Sequence, residues 1–121
     1  MNNQSTIIPF NEARLYPDQK RPSSLFFDRP EFEQILNIYG KMVASGFWKD
    51  YAISATKDDV TFAVFKRASE RPLFRITKTP ALAHKQGAFA IHSAQGQIVK
   101  RGHELCQVLK YFEKKLIKLI K

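Results

Sequence analysis

Apolar residues recur at three- and four-residue steps near the start and at the end of this chain, and alternate with polar residues in between. Phe32, Ile35, Leu36, Tyr39, Met42 and Val43 make the first helical pattern, with one apolar face. Asp28 stands where an N-cap belongs, Glu31 completes a capping-box spacing, and Pro30 falls in the first turn, where N–H groups are unpaired anyway. Ser45-Gly46 closes the run, Gly46 being suited to the left-handed position after a helix. The spacing predicts a helix over residues 30–45. The period then changes to two. Tyr51, Ile53 and Ala55 alternate within 48–56, Asp58-Asp59 marks a turn, and Val60, Phe62 and Val64 alternate up to Lys66. Phe74 and Ile76 repeat the pattern within 71–79, where Pro72 is acceptable only at a strand start. Residues 80–87 predict a connection with one helical turn capped by Thr79. Phe89 and Ile91 predict a fourth strand, Gln95-Gly96 a tight turn, and Ile98–Lys100 a short fifth strand. Leu105, Val108, Leu109, Phe112, Leu116 and Leu119 restore the helical period from 103 to the end.

These elements predict an α+β fold: a helix, an antiparallel meander of four to five strands, and a C-terminal helix, with both helices on one face of the sheet. Residues 1–24 have no period and read as a flexible N-terminal lead, in which Ile7, Ile8, Phe10, Leu15 and Tyr16 offer docking side chains. Residues 25–121 form a single domain, as suits a chain of 121 residues.

Composition narrows the class. Ten Phe, four Tyr and one Trp supply a compact core, which argues against disorder throughout. The single cysteine, Cys106, excludes an intrachain disulfide and suits a reducing compartment. The first residues do not read as a secretory signal, and no stretch approaches the roughly 18 apolar residues of a membrane span. The expectation is a cytoplasmic protein without a membrane partner. His84, His92 and His103 lack metal-ligand spacing, so neither a metal nor a cofactor is expected. Cys106 follows His103 by three residues, but a structural cysteine is the simpler reading. Asp50, Asp58, Asp59 and Glu70 cluster near turns without pairing across a pocket. No catalytic constellation is visible, and the reading leans away from an enzyme.

Charge changes the picture most. The net charge is +9, and residues 70–121 hold eleven Lys or Arg against Glu70, Glu104 and Glu113. Such asymmetry suggests a polyanionic partner, DNA or RNA foremost. The candidates are Lys100, Arg101 and His103 near the start of the last helix, then Lys110, Lys114 and Lys118 along it, with Arg71 and Arg75 in addition. Lysines on one helix face can neutralise phosphates, and unpaired N–H groups at a helix start attract anions. The bland alternatives are a solvated outer face and a plain connecting turn at Gly102. Phe65, off the Val60/Phe62/Val64 face, is a candidate for base stacking, whereas Trp48 and Tyr51 read as closing the core. A small basic module binding nucleic acid through its phosphate backbone is the favoured expectation. The alternative is a protein–protein adaptor or homodimer, suggested by the aromatic surplus and by Ile117 and Ile120, which lie off the apolar stripe.

Three stretches carry a resemblance: LNIYGKMVASGFWKDYAI (36–53), FKRASERPLFRITKTPAL (65–82), and KQGAFAI with IVKRGHEL (85–91 and 98–105). They resemble a bacterial family of small uncharacterised proteins, common in alphaproteobacteria and defined by a domain of unknown function, over residues 25–116. The resemblance implies a short cytoplasmic protein and brings no activity, cofactor or catalytic residue. The helix–three strands–helix order is also similar to that of a double-stranded-RNA-binding domain, from which the hairpin at 88–100 and the start of the last helix depart.

Overall fold

A computed structural model describes residues 6–8, 25–67 and 71–120 of the chain. Helix α1 spans Arg29–Ala44 and is closed at both ends by local chemistry. At its start the Asp28 carboxylate accepts from the Glu31 N–H at 2.9 Å, and the Glu31 carboxylate accepts from the Asp28 N–H at 2.8 Å. At its end Gly46 takes φ +83°, its N–H donates to Val43 O, and the Phe47 N–H donates to Met42 O, both at 2.9 Å. That pair of bonds satisfies carbonyls the helix leaves open. Gly40 is a weak point inside α1: it is exposed, and a methyl group there would meet nothing within 4 Å. Gly40→Ala is expected to stabilise the fold by about 0.5–1 kcal/mol through lower chain entropy, and thermal unfolding should show a rise of a few degrees.

The strands are β1 (Thr6–Ile8), β2 (Asp50–Ala55), β3 (Val60–Phe65), β4 (Phe74–Lys78), β5 (Phe89–Ser93) and β6 (Ile98–Gly102). They form one antiparallel sheet in the order β1-β2-β3-β4-β5-β6. Helix α2 (Leu105–Ile120) follows. Because side chains alternate across a strand, register places Ile53, Phe62, Ile76 and Ile91 side by side in one row, and all four are fully buried. Ile35, Ile38 and Met42 of α1 and Leu105, Val108, Leu109 and Phe112 of α2 complete this core. Both helices cover the same face, as the pattern predicts. Trp48 closes the helix–strand junction, edge-on to Phe112 with ring centroids 4.9 Å apart. Lys78 ties β4 to α1 through Glu31 at 2.7 Å.

The elements depart from the expected bounds in four places. Residues 1–24 read as a lead, yet Thr6–Ile8 pairs with Ile53–Ala55 as β1; the rest of that segment lies outside the described residues. The strand expected over 71–79 begins at Phe74, leaving Pro72, which has no N–H to donate, outside the ladder. The turn at Pro80–Leu82 is a 3-10 turn, and the Thr79 side chain makes no capping bond. Strand β6 continues through Gly102, so α2 starts later than expected, at Leu105. Three strands, β1 ahead of the first helix and β5 and β6 ahead of the last, separate this topology from the helix–three strands–helix order.

Candidate functional site

Strand alternation divides the basic run at 100–101. Lys100 is the register partner of Ile91 and belongs to the helix side of the sheet, whereas Arg101 is the partner of Ala90 and belongs to the open side. The two cations therefore do not converge at the start of α2. They sit within β6, and Glu104 is the residue immediately before the helix. A negative side chain there satisfies the helix dipole itself and disfavours a bound anion.

Lys100 instead meets α2. A groove of about 140 Å³ is lined by Lys100 from β6 and by Gln107, Lys110, Tyr111 and Lys114 from α2. The four helical residues are spaced i, i+3, i+4 and i+7, which brings them onto one stripe of the helix. No carboxylate lines the groove. Tyr111 is held edge-on to Phe74, with centroids 6.1 Å apart, and to Phe112 at 5.5 Å. The Lys115 ammonium lies 5.5 Å from the centre of the same ring, adding a fourth cation beside the site. Three ammonium groups, a side-chain amide and an aromatic edge thus share one concave surface, which suits consecutive anionic groups with hydrogen-bonding or stacking partners between them. Gln107 and Tyr111 were not among the expected site residues.

The other candidates go elsewhere. Lys118 is exposed one turn beyond Lys114 and does not line the groove; Arg71 is exposed ahead of β4. His103 has Nδ1 3.0 Å from the Ala83 carbonyl, an arrangement that stitches the 3-10 turn to the entry of α2 and does not engage Cys106. Arg101 donates through Nη1 to Gly87 O at 2.9 Å. Arg75 stands on the open face beside its register partner His92. Phe65 is half-buried on that same face, and Phe74 packs against Phe112 at 5.1 Å in the core.

Elsewhere, burial first and then the neighbouring Tyr39 push the Tyr51 hydroxyl up to about 12, which marks a packed aromatic cluster rather than an acid–base site. Among the described residues no three His, Cys, Asp or Glu side chains are grouped to hold a metal ion. Among them, too, no helix is long and apolar enough to cross a membrane.

Comparison with curated proteins and with solved structures gives no match. A family model does match, over residues 25–109, and its description is protein of unknown function (DUF2794). The matched stretch contains α1, the sheet from β2 to β6 and the start of α2, together with Lys100 and Gln107 of the groove. It spans well over half of the chain, and the protein therefore belongs to the DUF2794 family of proteins of unknown function.

Proposed function

We propose that this protein is a small basic binding module that grips the phosphate backbone of a nucleic acid in the groove between β6 and α2. The observation that carries the reading is the convergence of Lys100, Lys110 and Lys114 on a surface without a lining carboxylate. Lysines one helical turn apart stand about 6 Å from each other along the axis, so Lys110 and Lys114 address successive anionic groups while Lys100 approaches from the sheet. Phosphate contacts position a duplex or strand without reading its bases, so binding is weakly sequence-selective and strongly salt-dependent. Tyr111 adds an aromatic surface for an unstacked base.

Fluorescence anisotropy of labelled single- and double-stranded DNA and RNA, titrated with the protein at several salt concentrations, tests the reading. Expected is binding that weakens steeply with salt. Three groove contacts account for a log–log slope of roughly −2 to −3, at about −0.7 to −0.9 per neutralised phosphate. Absence of binding to all four probes at low salt would retire it.

One observation favours a second reading, a protein partner or a second copy of the chain. Ile117 is 58% exposed on α2, one turn beyond the Glu113 carboxylate that pairs with Lys41 of α1. Sedimentation of a strict monomer at high concentration would remove the homodimer form of it.

A further inference from the structure

The stripe that α2 turns toward the groove divides into two rows of unlike chemistry. Lys110 and Lys114 stand one turn apart and form a cationic row with exposed side chains. Gln107 and Tyr111, also one turn apart, form an uncharged row beside it, and the same row ends in Lys115, whose ammonium lies 5.5 Å from the centre of the Tyr111 ring. The uncharged row is on the sheet side of the stripe. Tyr111 is half-buried, with its ring centroid 6.1 Å from that of Phe74 on β4 and 5.5 Å from that of Phe112. Lys100 approaches from β6. An amide and an aromatic ring therefore make a neutral floor, with ammonium groups at both rims.

That order is a poor match to a duplex. A duplex presents its phosphates on outer ridges and recesses its base edges in grooves between them, where a projecting helix or strand reaches them and a concave surface does not. A single strand can turn a base out into such a site while its phosphates stay at the rims. The size agrees. The groove holds about 140 Å³, and a protein cavity of about 150 Å³ takes one benzene, so one aromatic base fits the floor and a stacked pair does not. Gln107 is exposed, and its amide offers two donors and an acceptor to the edge of that base. Adenine is the base that such an amide meets at two points, N6 and N7.

We infer that the groove takes a single strand, lodging one base against Tyr111 with its edge on Gln107, and that Gln107 makes adenine the preferred base. The inference rests on the phosphate-gripping reading of the groove and adds to it the form of nucleic acid bound and the residue that reads it. The phosphates that flank the lodged base go to Lys110 and Lys114 on one rim and to Lys100 on the other. Lysine supplies affinity here, and the amide supplies selectivity.

Fluorescence anisotropy of the full chain with short probes of equal length tests it. The probes are deoxyadenylate, deoxycytidylate and thymidylate tracts, a tract of abasic sugars, and a duplex. The single strands carry equal charge, so counterion release cancels when they are compared. Deoxyadenylate is expected to bind about fivefold or more tightly than the two pyrimidine tracts, at the low end of what a two-point base contact discriminates. The abasic tract is expected to bind more weakly than all three, and the duplex more weakly than the strands at equal phosphate concentration. Gln107→Leu, at an exposed position outside the core, removes the adenine preference and leaves the salt slope and the melting temperature unchanged. Gln107→Asn keeps part of the preference. An abasic tract that binds as well as thymidylate, a duplex that binds more tightly than the strands, or an adenine preference that survives Gln107→Leu would overturn the inference and leave the phosphate grip standing. Binding of no probe at low salt would retire the phosphate grip itself, and the inference with it.

Discussion

Replacing Gly87 by Ala is expected to destabilise this protein by about 2–5 kcal/mol and to lower its midpoint of thermal unfolding by roughly 10–25 °C. Two causes add. Gly87 has φ +108°, a conformation that side-chain-bearing residues rarely adopt. A Cβ there would also overlap the carbonyl carbon and oxygen of Gly102 and come within 2.9 Å of the His103 nitrogen. Those are backbone atoms and cannot swing aside, so the connection after the 3-10 turn would have to part from the end of β6. Other bonds hold the same junction: Arg101 to Gly87 O, His103 to Ala83 O, and the register pair Phe89 and Gly102. A loss of this size is a large share of the ~5–15 kcal/mol that holds a domain folded. Circular dichroism melts of the variant beside wild type check it, and a midpoint within a few degrees of wild type would show that the close approach is dispensable. Gly102→Ala is a milder companion, since its Cβ would meet only the Val108 Cγ2 methyl, at 3.1 Å.

The largest effect on function is expected from neutralising the groove. Lys100→Gln, Lys110→Gln and Lys114→Gln together remove every ammonium that lines it while keeping Gln107 and Tyr111. All three lysines are exposed and their substitution takes nothing from the core, so the melting temperature should remain within a few degrees of wild type. Each lost phosphate contact lowers the salt slope by about one and weakens binding to all sequences alike. The triple variant should therefore lose on the order of a hundredfold or more in affinity at low salt. Tyr111→Leu separates charge from stacking. It leaves the slope unchanged and weakens single strands by the ~1–3 kcal/mol of a base–aromatic contact, with little change for duplexes.

The parts of the fold visible in the sequence are those governed by local chemistry. Asp28 with Glu31, Ser45 with Gly46, and the alternation of Val60, Phe62 and Val64 each specify their conformation within a few residues, and the structure follows them. Strand β1 escaped because Thr6–Ile8 is three residues long, too short to establish a period, and gains its partner only by pairing with β2. The site was half legible. Lys110 and Lys114 stood out by helical spacing, but their meeting with Lys100 depends on how α2 packs beside β6, which no local pattern encodes. Ending the fifth strand at Lys100 also hid the parity argument. With β6 extended to Gly102, alternation alone separates Lys100 from Arg101. Gln107 could have been found by extending the lysine stripe one turn back, and Tyr111 by noting that it flanks Lys110 on the same side. Arg75 was a candidate by its charge and His92 was not, and only the register of β4 and β5 places them side by side.

The measurement that bears most directly on the central claim is a salt titration of nucleic-acid affinity, run side by side on wild type and the Lys100/Lys110/Lys114 triple glutamine variant. The account predicts a linear log–log dependence for both, with the slope of the variant shallower by two to three, about one for each lysine removed. Equal slopes would contradict it, because the phosphates would then be neutralised by cations outside the groove.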